Sequence, residues 1–259
     1  MNKLAPYAKF LKASGLTKYT IKNYLWHTAK FLPGLGADNI STTRLRDYRL
    51  KLLKSKYSPA TINLHLTSIN KYLGYLGQPV RLDLTTNERK ELNNLTARQL
   101  DRFFEALPST TRLIDLRDRA LVELLYDTSL KVGQIIYLKR SQLDTIKQEI
   151  ILNQQNHISI RPSAGASLQR YLDRRIDDID YLFINLDRTG KGSAMNLSIR
   201  SIERIIDKYG KKAGLKVNPQ ILRNTLARQL KKQGADAGQI KKALGFKTMV
   251  GADNYLRRV

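Results

Sequence analysis

The strongest helical pattern in this chain reads Leu113-Ile-Asp-Leu-Arg-Asp-Arg-Ala-Leu-Val-Glu-Leu-Leu-Tyr126. Its apolar side chains return every three or four residues, at positions 113, 116, 120, 121, 124 and 125. This spacing places them on one face of an α-helix, because the helix turns once in about 3.6 residues. The pattern predicts a helix from about Ile114 to Tyr126 whose apolar face lies in a core.

The residues after this helix mix two structural types. A hairpin is predicted by two short β-prone runs, Glu149-Ile-Ile-Leu152 and His157-Ile-Ser-Ile160, on either side of the polar Asn153-Gln-Gln-Asn156. A further short strand is predicted at Tyr181-Leu-Phe-Ile-Asn185. Helical patterns occupy four later segments, at about 165–175, 198–213, 219–233 and 237–245.

The N-terminal third is predicted to be helical throughout. Four short helices are expected, at about 3–13, 17–32, 42–53 and 58–76. The second ends at Pro33-Gly-Leu-Gly36, and Ser41 or Thr42 caps the third. Ser58-Pro59 starts the fourth, since serine is a favoured N-cap and proline fits the first helical position.

Two domains are expected from these patterns. The polar stretch after Gly77 lacks periodicity, and Thr96 then caps a new helix. We therefore predict an all-helical domain over residues 1–78, a linker over 79–94 and a second domain over 95–259. The fold class is mainly α with a small β-hairpin or sheet, the second domain being mixed α/β.

The net charge indicates the class of partner. The 259-residue chain has 46 Lys and Arg against 22 Asp and Glu, a formal net charge of +24. A polyanion is the partner that such a charge favours. Charge alone leaves duplex DNA, RNA and an anionic membrane surface open. The charge is densest in residues 1–80, where thirteen Lys and Arg face two acidic residues.

The composition also excludes several chemistries. The chain has no cysteine, which rules out disulfides and thiolate metal sites, and its three histidines, at positions 27, 65 and 157, are scattered. We predict no metal and no cofactor. The first residues lack the apolar run of a signal peptide, and no stretch approaches the roughly 20 apolar residues of a membrane span. We expect a cytoplasmic protein without membrane contact.

Several blocks resemble one family in the same order along the chain. They are Ser58-Pro-Ala-Thr-Ile-Asn-Leu-His-Leu66, Arg117 to Gln134, Asn218-Pro-Gln-Ile-Leu-Arg223, Ala243-Leu-Gly-Phe246 and the late Tyr255. Together they resemble the tyrosine recombinases of the phage integrase and Xer type over nearly the whole chain. The resemblance implies an N-terminal, SAM-like, DNA-binding domain and a catalytic domain. It also implies duplex DNA as the partner and site-specific recombination or integration as the function.

The family's catalytic positions carry altered residues in this chain. By the resemblance, Tyr255 occupies the position of the nucleophile and Arg223 that of the second phosphate-binding arginine. The first arginine falls on Lys131, and the usual acidic residue three positions later falls on Gln134. The remaining substituted positions are the general-acid lysine of the hairpin, the histidine three residues before the arginine, and the later histidine or tryptophan; they fall on Gln154, Gln220 and Phe246.

The chemistry explains why these changes matter. A phenol has a pKa near 10 and is a weak nucleophile at neutral pH, so it needs a base or a cationic field. A lysine at 131 keeps the charge but not the two-pronged guanidinium geometry, and Gln154 cannot protonate a leaving oxygen. His157, on the same hairpin, offers a possible proton shuttle because an imidazole titrates near neutrality. Strand transfer is therefore expected to be weak or lost.

Basic residues form the predicted DNA-binding surface. Those singled out are Lys18, Lys22, Arg44, Arg46, Lys51, Lys54, Lys56, Lys211, Lys212, Lys241, Lys242 and Lys247. Only Leu256-Arg-Arg-Val259 follows Tyr255, so self-association on DNA through a terminal segment stays open. Three functions remain in view: an active recombinase, a DNA-binding accessory or regulatory protein derived from one, and a basic RNA-binding or structural protein.

Overall fold

The computed structural model describes residues 4–34, 40–86, 91–187, 189–190 and 192–259. It divides into two compact units, Met1–Arg89 and Lys90–Val259. Most described residues are helical, and the strands form two small antiparallel sheets. This architecture confirms the predicted mainly α fold class. Among the described residues, no helix is both long enough and apolar enough to cross a membrane.

The described part of the first unit contains four α-helices: α1 (Ala5–Ala13), α2 (Lys18–Phe31), α3 (Thr42–Leu53) and α4 (Pro59–Tyr75). Thr17, Ser41 and Ser58 each accept a hydrogen bond from the backbone N–H three residues later, which satisfies a donor that the first helical turn leaves free. A short 3-10 turn at Leu32–Gly34 follows α2. The predicted start at residue 3 and the end of the stop signal, 35–36, lie outside the described residues.

Helices α2 and α4 form the centre of this unit. Phe31 of α2 is fully buried with Leu66, Ile69 and Leu73 of α4. A second apolar cluster places Tyr7 of α1 against the same long helix. The apolar spacing of each helix thus buries one face, and the basic residues stay on the other.

The residues after α4 are held by two asparagines. Asn70 exchanges hydrogen bonds with the backbone N–H and C=O of Leu82, both at 2.8 Å. Asn63 does the same for Thr85, at 2.7 and 2.9 Å. The first part of the segment predicted as linker therefore packs on the first unit. Residues 87–90 lie outside the described part of the chain.

The second unit contains the remaining elements. Its helices are α5 (Ala97–Glu105), α6 (Leu113–Thr128), α7 (Val132–Ile135), α8 (Pro162–Asp173), α9 (Ile199–Lys212), α10 (Pro219–Lys232), α11 (Ala237–Leu244) and α12 (Met249–Leu256). Its strands are β1 (Leu143–Asp144), β2 (Glu149–Asn153), β3 (Asn156–Ser159), β4 (Ile184–Leu186) and β5 (Gly192–Asn196). The sheets run β1-β2-β3 and β4-β5, all pairs antiparallel.

Helix α6 is buried on more faces than its apolar pattern predicted. Its polar side chains Arg117 and Asp118 are 4 % and 2 % exposed and pair at 2.6 Å. The hydroxyl of Tyr209 donates to the same carboxylate at 3.0 Å. Because a buried charge needs a partner, this network lets a polar face enter the interior.

Some boundaries differ from the sequence prediction. Helix α8 begins at Pro162, earlier than the predicted residue 165, because proline occupies its first turn. The predicted strand at 181–185 is shifted to β4, with only an isolated bridge at Tyr181. Strand β5 and helix α12 were not predicted; both are short, and β5 consists largely of residues that strands disfavour.

Candidate active site

Helix α10 supplies three polar side chains to one site. Its start is fixed by Asn218, whose side-chain oxygen accepts from the N–H of Ile221 at 2.9 Å, and by Pro219 at the first position. Gln220, Arg223 and Asn224 then lie three and four residues apart, on one face of the helix. Gln220 is exposed at the rim, and the other two are buried.

Arg223 connects three parts of the site. It is 9 % exposed and donates to the carbonyl oxygens of Ser129 and Leu244. Its guanidinium lies 5.3 Å from the ring centroid of Phe246, a cation–π contact. A guanidinium has five N–H groups, and two carbonyl contacts with one hydrogen bond to Tyr255 leave others for an anion. Burial lowers the pKa of Arg223, yet an arginine stays charged at neutral pH.

Tyr255 lies on α12 against the same face. Its hydroxyl donates to Oδ1 of Asn224 and accepts from Nε2 of Gln220 at 3.1 Å. Gln220 Nε2 also donates to Asn224 Oδ1 at 2.8 Å, so the three side chains are hydrogen-bonded to one another. The ring of Phe246 packs against the tyrosine with centroids 5.1 Å apart. Tyr255, Gln220, Arg223 and Phe246 are thus brought together.

The environment keeps Tyr255 protonated. Burial raises the pKa of the phenol above its usual range, while the Arg223 charge and the hydrogen bond from Gln220 act in the opposite direction. The groups in contact with the hydroxyl are the amides of Gln220 and Asn224 and the guanidinium of Arg223, none of which takes up a proton at neutral pH. The described contacts therefore orient the Tyr255 hydroxyl without providing a base.

Lys131 lies on the turn that Arg223 holds. The turn follows α6, with Ser129 in the left-handed region at φ 48° and its carbonyl bonded to Arg223. The Lys131 side chain is exposed, and its backbone N–H donates to Oε1 of Gln134 at 3.0 Å. Gln134 therefore stabilises the first turn of α7, a role that an acidic side chain also fills.

The β2–β3 hairpin lines a cleft that does not include Arg223 or Tyr255. Gln154 is at its turn, and His157 on β3 has Nδ1 3.3 Å from Oε2 of Glu149. These residues line a cleft of about 610 Å³ with Lys242 and Ala243 of α11. The cleft is close to Arg223 along the chain. Ala243 lines the cleft, and the next residue, Leu244, accepts a hydrogen bond from Arg223.

The hairpin is tied to the end of α6. Asp127 accepts from both the backbone N–H and the guanidinium of Arg161, the residue that precedes α8. Its carboxylate is 2 % exposed. Only Asp127 is buried, because the Arg161 side chain is 58 % exposed, yet this charge-assisted pair still joins the end of α6 to the residue that follows the hairpin.

The basic residues predicted to contact DNA are at the surface. All twelve are exposed except Lys241, which is half-buried. Lys211 forms an ion pair with Asp207 at 2.7 Å, which reduces its capacity to bind a phosphate. Lys231, on α10, has a structural contact instead, donating to the carbonyls of Leu256 and Val259 at 2.7 and 2.8 Å.

Asn224 is the site residue that the sequence interpretation missed. It is 3 % exposed and touches Tyr255 and Gln220 directly. Its position in the sequence indicates a place near the site, because it follows Arg223 directly and lies one helical turn after Gln220. Only the position of α12 reveals the contact, because Tyr255 is 31 residues away in the chain.

Comparison with known proteins extends these observations. The model of the phage integrase family matches residues 93–258. Tyrosine recombinase XerA of Pyrococcus furiosus is 30% identical over 98% of this chain and 88% of its own length. A crystal structure of XerA recombinase has a TM-score of 0.55 at 27% identity, covering 98% of this chain and 92% of that one.

One solved structure of lower sequence identity supports the fold alone. The crystal structure of a lambda integrase dimer bound to a COC′ core site has a TM-score of 0.71 at 18% identity, covering 98% of this chain and 93% of that one. The family match, the relatives and the arrangement of Arg223 and Tyr255 agree. The chain belongs to the phage integrase family, the tyrosine recombinases.

Proposed function

We propose that this protein binds duplex DNA and acts in site-specific DNA recombination, with Tyr255 as its nucleophile and with reduced strand-transfer activity. The observation that carries the proposal is the contact network of Tyr255 with residues of α10, beside the buried guanidinium of Arg223. DNA as the partner would place the protein in the cytoplasm.

The proposed reaction uses each group for one task. Tyr255 Oη attacks the scissile phosphorus, the bond from phosphorus to the 5′ oxygen breaks, and the phosphate is left joined to the tyrosine. Arg223 and Lys131 hold the phosphate oxygens and oppose the charge that grows in the transition state. The phenol proton leaves to solvent, and the departing 5′ oxygen takes a proton from water or from His157.

Reduced activity follows from the groups that are replaced. Removing one preorganised donor costs on the order of 10² to 10³ in rate in comparable sites, and such losses do not simply add. Gln154 does not deliver a proton, and Phe246 has no donor at all. Lys131 keeps a positive charge, so phosphate binding is affected less than proton transfer.

A second function is favoured by one observation. The Tyr255 hydroxyl donates its hydrogen to an amide oxygen, so this contact offers the nucleophile no base. A protein that keeps DNA binding and lacks cleavage would act as an accessory or regulatory protein on recombination sites. The surface lysines and arginines serve both functions equally.

The test begins with a binding site and then asks for chemistry. Duplexes that bind tightly are selected from a random library, and a nicked suicide duplex carrying the selected site traps a covalent protein–DNA adduct. Two substrates are compared, one with the normal 5′ oxygen and one with sulfur at that bridging position. A thiol has a pKa near 8.5, so sulfur leaves without a proton donor.

Each outcome decides between the candidates. An adduct with either substrate that disappears in Tyr255→Phe supports the proposed nucleophile. An adduct with the sulfur substrate alone assigns the weakness to the missing general acid. No adduct with either substrate, at a site that the protein binds tightly, overturns the catalytic proposal and leaves the accessory function.

A further inference from the structure

The segment that enters the second unit is hydrogen-bonded to both helices of the site. The N–H of Leu92 donates to the carbonyl of Arg258, two residues after α12, at 2.8 Å. The N–H of Leu95 donates to Oγ1 of Thr225 on α10 at 2.9 Å. Arg228, one turn further along α10, donates to Oδ1 of Asn94 at 3.2 Å.

Asn224 joins this segment to the nucleophile. Its Nδ2 donates to the carbonyl of Asn93 at 2.7 Å, while its Oδ1 accepts from the hydroxyl of Tyr255. One planar amide thus satisfies a backbone group of the entering segment and the reactive hydroxyl together. Because the amide is rigid and buried, a displacement of Asn93 turns the acceptor that orients the tyrosine.

We propose that Asn224 is a positioning residue that couples the segment 92–95 to the orientation of the Tyr255 hydroxyl. This inference rests on the proposed function, because the orientation of Tyr255 affects catalysis only if Tyr255 is the nucleophile. The contact between Asn224 and Tyr255 can be tested without DNA.

The main readout is the ionisation of Tyr255 in the whole protein. Tyrosine labelled with ¹³C at Cζ gives a signal for each of the 13 tyrosines, and Tyr255→Phe identifies the one that belongs to Tyr255. Asn224→Asp keeps an acceptor for the hydroxyl, adds a negative charge and removes the donor to Asn93. We expect the pKa of Tyr255 to rise by about one unit or more, since a negative charge in contact with the hydroxyl favours the protonated phenol.

A matched control compares a charge in contact with the hydroxyl with the same charge placed in solvent. Asn254 is the exposed neighbour of Tyr255 on α12, so Asn254→Asp adds the same charge in water. Solvent screens that charge, and the pKa of Tyr255 should rise by no more than about 0.3 units. Equal shifts in the two variants would remove the assigned role of the contact.

The coupling itself is tested from the other end. Thr225→Val removes the acceptor for Leu95 and preserves the shape of the side chain, so it loosens the segment without touching Tyr255. We expect at least a fivefold faster amide exchange at Leu95 and a displaced Tyr255 Cζ signal. In an Asn224→Leu background the same valine substitution should leave the Tyr255 signal unchanged.

Two results would overturn the inference. One is a Thr225→Val variant with faster exchange at Leu95 and an unmoved Tyr255 signal. The other is an equal displacement with and without Asn224. Failure of the DNA-cleavage test does not produce either result, because these measurements need no substrate, and the two proposals therefore fail separately.

Discussion

Acid should destabilise the first unit through a buried pair of histidines. His27 and His65 are 5 % and 1 % exposed, and their rings lie 4.1 Å apart. Neither ring nitrogen of His65 has a hydrogen-bond partner among the described residues. Burial lowers the pKa of His65 from 6.5 to about 4, with the neighbouring His27 and Lys30 acting in the same direction.

The size of the effect follows from that shift. Between pH 6.5 and 4 the unfolded His65 binds a proton that the folded one excludes, so protonation favours unfolding. The free energy of unfolding should fall by about 2 kcal/mol at pH 5, and by about 3 kcal/mol once the pH is below 4. Burial also lowers the pKa of His27, which acts with the same sign.

The chain carries its own probe for this measurement. Trp26 is its single tryptophan, and its ring lies 4.7 Å from that of His27. Urea unfolding followed by Trp26 fluorescence at pH 7, 6 and 5 reports on the first unit within the whole protein. His65→Phe keeps an aromatic ring against Tyr57 and removes the titration, so it provides the control.

The decisive quantity is a difference between two proteins. The wild-type chain should lose about 2 kcal/mol more than His65→Phe between pH 7 and pH 5. Other groups titrate in both proteins and cancel in the comparison. Equal losses in the two proteins would refute the reasoning, because they would show that His65 takes up its proton in the folded state.

Three further predictions concern the site and the DNA surface. Gln154→Lys should raise adduct formation on the normal oxygen substrate by about 10² and leave the sulfur substrate nearly unchanged, and equal gains on both would contradict the general-acid assignment. Arg223→Met leaves two buried carbonyls without donors and should lower the free energy of unfolding by about 2 to 4 kcal/mol in urea titrations followed by circular dichroism; a change under about 0.5 would contradict it. Changing Lys18 and Lys22 together to Gln should reduce the slope of log affinity against log salt by roughly two, whereas Lys211→Gln, already paired with Asp207, should change it less.

The sequence predicted the helices whose signals are local. The caps at Thr17, Ser41 and Ser58 lie where serine and threonine precede apolar periodicity, and the structure contains each of those hydrogen bonds. The polar burial of Arg117 was hidden, since periodicity counts only apolar faces. Its partners Asp118 and Tyr209 become adjacent through packing that no local pattern encodes.

The residues of the site show the same difference between local signals and long-range contacts. Arg223 and Tyr255 could be placed from spaced blocks, because resemblance carries positions directly. The role of Asn224 could not be predicted, because it depends on a contact with Tyr255, 31 residues away. The hydrogen bonds of Asn70 with Leu82 could not be predicted for the same reason. Helix α12 was missed for a physical reason: it has eight residues, including a glycine, and packing against α10 and α11 stabilises it rather than intrinsic propensity.

Two residues at the positions predicted to be substituted keep contacts with Tyr255 and Arg223 but offer no group that transfers a proton. Gln220 still donates to Tyr255, the ring of Phe246 still packs against Arg223, and each lacks an acidic or basic group. Binding of a phosphate needs charge and position, whereas activation of the phenol needs a base.

This distinction predicts how the rate depends on pH. With sulfur as the leaving group, the proton of Tyr255 is the one proton that must depart before attack. If no base assists, the rate follows the phenolate fraction and should rise about tenfold per pH unit from pH 6 to 9, because burial raises the pKa of the phenol above 10. Single-turnover cleavage measures this slope directly. A rate that levels off near pH 7 would identify an assisting base, and loss of that plateau in His157→Gln would assign it to the hairpin histidine.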